Sequence, residues 1–391
     1  LDVTISSGKT IAKTGGTGTL TMQAHGRVNN SGTINTSGSG VLNVVMWSDF
    51  DNDNNDGGVS HMGTISTNGG HVWLGGSNSN GGSYTWNGLT VGDGPSIGSS
   101  GYNGNALDLY GNVTTNGGDF FAWAGNGING YANGIGTNGV LYIIDTGNNG
   151  TGDITLITNE VDGSGAQSIK FQTSSVFTLA PNGGAFPSEF LWNPSVSSDS
   201  YEFPGGSFNY LNVRDISTLS GLTIGQYSGM LDGNGDPVVL GNSSNVTIST
   251  AASIAGPISV YGRDITANNN LITDAPGAGI LLKASGSITT NSSRTIQTNG
   301  GDITLWADAD GTNDGQILTN DANKLDSRTA TDRTAANTLT ATGGGTITLG
   351  GGGESVTLTS GTSVPTGFAS NSTGPGVRFG STISGTTTTL L

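Results

Sequence analysis

Apolar residues in this chain come in short alternating runs. Between residues 244 and 360 an apolar-polar-apolar pattern recurs at Val246-Thr247-Ile248, Ile258-Ser259-Val260, Ile303-Thr304-Leu305, Ile347-Thr348-Leu349 and Val356-Thr357-Leu358, with Ile280-Leu281-Leu282 a more apolar variant. A two-residue period is that of a strand with one buried face. The spacing is regular: the step from Ile258 to Ile280 is 22, that from Ile280 to Ile303 is 23, and that from Ile303 to Ile347 is 44, read as two steps of 22. A second series, Ile265 to Ile288, again steps by 23. Two registers sharing one period predict two or three strands per repeat, about one turn of a parallel β-helix. Ile, Val and Leu then face inward, with Thr and Ser outside. Continued through the chain, the period makes roughly 17 coils and a rod on the order of 80 Å long.

Residues 1–185 repeat less cleanly. The step from Val72 to Phe120 is 48, read as two coils with insertions, whereas that from Ile154 to Phe177 is 23. Thr-Asn-Gly-Gly followed by an apolar run and a Trp occurs three times, at Thr67–Trp73, Thr115–Trp123 and Thr298–Trp306, a polar turn tied to a strand. Insertions are expected at 49–60, 75–105, 125–138, 181–212 and 319–340. Residues 186–210 hold seven aromatic residues and three prolines, the composition of a flap. The expected division is irregular coils over 1–185, an aromatic-rich flap or insertion over 186–212, and regular coils over 213–391.

Composition narrows the alternatives. Glycine supplies 69 of 391 residues and charged residues only 10%, too few strong helix formers for long helices and too little charge for an ordinary disordered tail. The formal charge of −16, from 28 acidic against 12 basic residues, repels phosphate backbones, so nucleic acid is not an expected partner. It leaves room for Ca²⁺ held by carboxylate oxygens. Cysteine is absent, which removes disulfides and thiolate chemistry. A helix needs an apolar run of roughly 18 residues or more to cross a bilayer. This sequence has no such run, so insertion into a membrane as a helix is not expected. The first residues, Leu1-Asp2-Val3-Thr4, read as the start of a piece of something longer.

The candidate chemistry is sparse. Trp47-Ser48-Asp49-Phe50-Asp51-Asn52-Asp53 has a counterpart in Trp306-Ala307-Asp308-Ala309-Asp310. Asp49, Asp51, Asp53, Asp308 and Asp310 stand at alternate positions where carboxylates can converge on one hard cation, Ca²⁺ being the ion of choice. A solvated Asx-rich turn is the other reading. His25, His61 and His71 have no zinc-site spacing. Phe190, Trp192, Tyr201, Phe203 and Tyr210 could stack on sugar rings or pack a flap. Trp47, Trp73, Trp123 and Trp306 follow the repeat and are expected to pack on neighbouring coils. An enzyme would need clustered acids on one face; Asp232, Asp236 and the pair Arg263-Asp264 are the nearest approach, and no catalytic residue is assigned.

With these runs assembled, Gly221–Gly225, Ser253–Gly262, Gly279–Gly286 and Thr298–Asp308 resemble the coils of large repetitive bacterial surface adhesins. These are the filamentous-haemagglutinin-like exoproteins, in particular those of gliding and marine bacteria with a type IX secretion route. The resemblance covers about 215–360. It implies an all-β, right-handed parallel β-helix exported to the cell surface, adhering to surface glycans or abiotic surfaces, and without catalytic residues. A structural stalk or filament subunit, stacking on other coils or identical subunits, is the alternative; a carbohydrate-active β-helix enzyme is a third. Ice binding by the Thr346-Ile347-Thr348 face is disfavoured because such Thr pairs do not recur regularly.

Overall fold

The computed structural model describes residues 1–53, 56–99, 106–125, 135–137, 143–147, 151–159, 161–163, 170–186, 190–192, 200–202, 210–214, 216–334, 343–358, 361–371, 376–384 and 387–390. Their regular secondary structure is almost entirely β-strand. They form two compact units: Leu1–Phe186 with Pro194–Asp215 and Gln226–Gly241, and Pro187–Asn193 with Ile216–Gly225 and Asn242–Leu391. This division differs from the one at 185 and 212 expected from the sequence.

In the first unit the chain visits three parallel sheets in turn. The first pass runs through Val3–Ile5, Thr10–Thr14 and Thr17–Gln23, the second through Val28–Asn30, Thr33–Ser37 and Val41–Trp47. Each pass lies in register on the one before, so that like residues form continuous files. Val3, Val28, Val59, Leu107, Ile135 and Val161 are successive partners in the first sheet. Ile11, Ile34, Ile65, Val113, Ile144, Phe171 and Val213 are successive in the second. Val44, Val72, Phe120, Ile154 and Phe177 align in the third. Val28, Ile65, Phe120 and Ile154 are fully buried. Burying one file of β-branched and aromatic side chains per strand is the main apolar stabilisation of such an arrangement.

The second unit repeats the scheme. Ile258, Ile280 and Ile303 pair in succession, as their spacing predicts, and Ile347 follows Ile303 in the same file. Val246, Ile265, Ile288, Ile317 and Val377 form another file, and Ala252, Leu271, Ile296, Leu325 and Ile383 a third.

Two long steps differ from the expectation. Ile303 pairs directly with Ile347, and Val72 with Phe120. Each of these intervals is therefore one pass with an excursion, not two passes. Accordingly the third-sheet ladder has six parallel strands in each unit among the described residues, fewer than the coil number expected from the period. Part of the expected insertion at 319–340 is ladder, since Ile317–Asp326 is a single strand. Val356-Thr357-Leu358 is no rung; Val356 and Thr357 pair antiparallel with Val364 and Ser363.

The corners explain the polar composition. In each Thr-Asn-Gly-Gly copy the buried threonine hydroxyl donates to the carbonyl of the second glycine: Thr67 to Gly70, Thr115 to Gly118 and Thr298 to Gly301. Asn68 and Asn116 take φ of 53° and 55°, a region that Asn tolerates better than most residues. A Cβ at Gly118 would fall inside van der Waals contact of the Gly70 carbonyl, so stacked corners admit only glycine there.

Side chains also link successive passes. Asn43 Oδ1 accepts the His71 amide at 2.9 Å, His71 Nδ1 the Asp119 amide at 3.0 Å, Asp119 Oδ1 the Asp153 amide at 2.9 Å, and Asp153 Oδ1 the Val176 amide at 3.1 Å. In the second unit Asp264 Oδ1 accepts from Ser287 and Asp302 Oδ1 from Thr346. Part of the negative charge thus caps backbone donors between passes.

The outer face of the first unit's third sheet carries a second apolar layer. Val45, Trp73 and Phe121 are in register and face away from the interior file. Two hairpins, Ser83–Gly92 and Tyr227–Leu240, pair with each other and cover that face with Trp86, Leu89, Val91 and Met230. The first hairpin lies within an expected insertion. The second falls where the spacing predicts regular coil, and corrects that expectation.

Candidate functional site

The two acidic loops fold alike, one in each unit. Trp47 lies opposite Gly75 on the next strand and its Nε1 donates to Ser77 Oγ at 2.6 Å; Trp306 lies opposite Gly350 and its Nε1 donates to Gly352 O at 2.9 Å. Two residues on, Asp49 and Asp308 turn the chain with φ of 49° and 51°. Their amides donate to Gly26 O at 3.2 Å and Gly286 O at 3.0 Å. Both aspartates are buried, at 0% and 2% exposure.

From that turn each loop folds its carboxylates together. One oxygen from each of Asp49, Asp51 and Asp53 lies within 4.8 Å of the others, and the same holds for Asp308, Asp310 and Asp314. Asp51 Oδ2 also pairs with His25 Nδ1 at 2.8 Å. In the second loop Asp308 Oδ1 accepts the Asn313 amide at 2.9 Å, and the Thr312 hydroxyl lies 3.0 Å from Asp310 Oδ1 and 2.9 Å from Asp314 Oδ1. Like charges so close repel, and a divalent cation with oxygen preference relieves that repulsion.

Asp314 is not among the ligands expected from the sequence. Its signal is nonetheless there: Asn-Asp-Gly closes both loops, at Asn55–Gly57 and Asn313–Gly315. Both Asp-Gly pairs form short antiparallel bridges, Asp56–Gly57 with Gly98–Ser99 and Asp314–Gly315 with Ser370–Asn371. Glycine is needed there because a Cβ at Gly57 or Gly315 would collide with Asp49 or Asp308.

The described aromatic candidates stand on three separate strands. Phe190 is fully buried in a ladder strand, Phe190–Trp192, opposite Val246; an inward rung position removes it from any ligand face. Trp192 is on the same strand, opposite Ile248. Tyr201 and Tyr210 lie on Ser200–Glu202 and Tyr210–Arg214, which pair antiparallel, while Phe203 is outside the described residues. Of the four repeat tryptophans, Trp73 stacks on Phe121 with centroids 6.3 Å apart, Trp47 and Trp123 belong to the same apolar layer, and Trp306 carries Lys283 Nζ 3.8 Å above its ring.

Asp232 and Asp236 sit in the turn of the second hairpin. Asp232 Oδ1 accepts the amides of Asn234 at 2.8 Å and Asp236 at 2.9 Å, bonds that hold its carboxyl below the ordinary carboxylate range. Arg263 Nε lies 3.9 Å from Asp264 Oδ2 at an exposed position. Comparison of the chain with protein-family models, curated proteins and solved structures finds no match.

Proposed function

We propose that this chain is a non-catalytic segment of an extracellular, cell-surface adhesin of the filamentous-haemagglutinin-like kind, each unit wound as a right-handed parallel β-helix and presenting its outer faces to glycans or solid surfaces. The observation that carries the reading is the repeated pass through in-register parallel strands, an architecture that projects many similar polar surfaces from one chain. Affinity then comes from weak contacts multiplied by copy number. Of the carboxylates the sequence offers for hydrolysis, Asp232 accepts backbone amides in a hairpin turn.

The test is attachment of the purified segment to a glycan array and to cellulose, glass and polystyrene beads, with saturable retention expected. Retention on none of them, with polymers seen by sedimentation, would replace adhesion by a stalk or filament role. Turnover of acidic polysaccharides that is lost in Asp232→Asn/Asp236→Asn would replace both by an enzyme.

In this reading Ca²⁺ occupies the two acidic loops and braces them. Ca²⁺ at ten times its Kd is expected to stabilise the fold by about 1.4 kcal/mol per site, as ligand binding to the folded state alone requires. The measurement is the thermal midpoint in Ca²⁺ against chelator, for the unaltered chain and for Asp308→Asn/Asp310→Asn. Equal midpoints in Ca²⁺ and chelator would exclude the ion.

A further inference from the structure

The outer face that large aromatic side chains fill in the first unit carries smaller ones in the second, with Ser259 and Leu281 half-buried and Thr304 buried. There Ser259, Leu281 and Thr304 succeed one another in register across Ile258–Gly262, Ile280–Ala284 and Ile303–Ala307, at the positions that Trp73 and Phe121 hold in the first unit relative to the buried file. The cover is also different. The end of strand Thr346–Thr357 turns back as Ser363–Gly367, and near the turn Thr362 Oγ1 donates to Asp302 Oδ2 at 2.7 Å. Between Thr362 and the sheet a groove of about 460 Å³ is left open, within the range of small-ligand sites.

The lining is specific in kind. Ser259, Thr304 and Thr362 bring hydroxyls, Asp302 a carboxylate, and Leu281 an apolar floor. Part of one wall is bare backbone, since Gly277 and Gly300 have φ of 79° and 78°, and a Cβ at Gly277 would meet nothing within 4 Å. Tyr261, two residues beyond Ser259, stands on the same face of the strand and is partly exposed. No Lys or Arg is among the described lining residues, and the nearby Lys283 lies over Trp306. A phosphate or carboxylate ligand would face Asp302 without a counter-charge. A ligand with many hydroxyls and an apolar C–H face matches both parts of the lining.

We propose that this groove is a subsite for a neutral hexopyranose unit of a polysaccharide, with Tyr261 and Leu281 against the ring and Ser259, Asp302, Thr304 and Thr362 at its hydroxyls. The proposal rests on the adhesin reading and gives it a place on the molecule. It also moves recognition away from the aromatics of 190–210.

The experiment is titration of the whole segment with cellotriose, laminaritriose and mannotriose, with trigalacturonate as the charged control, by saturation-transfer NMR and calorimetry. Leu281→Trp fills the groove and Tyr261→Ala removes its aromatic edge without filling it. Binding of at least one neutral trisaccharide is expected, weakened about tenfold or more by either variant, with trigalacturonate inert. Should Leu281→Trp alter the thermal midpoint, Tyr261→Ala decides. Neutral binding that survives both variants, or preference for trigalacturonate, overturns the groove assignment. If the segment adheres to glycan-coated beads but binds none of the trisaccharides, the groove fails and the adhesin reading stands; loss of both removes the two together.

Discussion

Replacing Phe121 by alanine is expected to destabilise the first unit by about 3–5 kcal/mol, the range for truncating a buried Phe. Phe121 is fully buried. Its ring lies 5.2 Å from Tyr227, 5.5 Å from Trp86, 6.3 Å from Trp73 and 6.4 Å from Trp123, centroid to centroid. Two of these partners stand on the sheet and two on the covering hairpins. Truncation therefore leaves a cavity between the layers and removes aromatic contacts worth about 0.5–1.5 kcal/mol per pair beyond burial. The hairpins depend on this layer, since an isolated two-stranded hairpin is marginal in water. Amide exchange over 83–92 and 227–240 should accelerate, and tryptophan emission should shift to the red as Trp86 becomes wet. The Phe120 file, facing the interior, should keep its protection. A loss of stability below about 1 kcal/mol, or acceleration spread evenly over both layers, would show that the outer layer is not what holds the hairpins.

The second large effect is a loss of stability in acid, centred on His61. The imidazole is fully buried; burial, opposed by the bond to Asn112 O, lowers its pKa from 6.5 to about 4. The hydrogen bonds also fix its proton. The Gly32 amide donates to Asn30 Oδ1 at 3.1 Å, which turns the Asn30 Nδ2 donor toward His61 Nδ1, 3.1 Å away. Nδ1 must then accept, and the Nε2 proton points to Asn112 O at 3.2 Å. A second proton on Nδ1 would face a donor. Because the folded pKa is depressed, the stabilisation is fully present above the unfolded value of 6.5. As pH falls below that value the unfolded chain takes up a proton that the folded chain refuses until about 4. Stability thus declines between those limits by about 3 kcal/mol, and this group adds no further loss below them. Urea midpoints across that window, with His61 followed by NMR, measure it. An imidazole titrating near its ordinary value would sink the prediction, as would a His61→Gln variant that keeps the same pH slope.

How legible each feature was depended on its range. Strand, turn and file came from local chemistry: Ile258, Ile280 and Ile303 align because alternation and spacing are properties of the chain itself. Asn87-Gly88, with φ of 48° and 74°, is a two-residue hairpin turn that residues alone could have revealed. What pairs across an excursion was not readable. The interval from Ile303 to Ile347 is compatible with one pass or two, and only the partner strand decides.

Sequence by itself determined that this chain is built of short strands with inward aliphatic files, threonine-glycine corners and two acidic loops. Tertiary structure decided the number of passes, the assignment of Phe190 to the interior, the joining of Ser83–Gly92 to Tyr227–Leu240 over one sheet, and the open groove beside Leu281. The reason is physical. Strand and turn preferences act within a few residues, whereas covering an outer face depends on which distant segments meet there, and a half-buried Ser259 or a covered Trp73 look alike until the cover is in place.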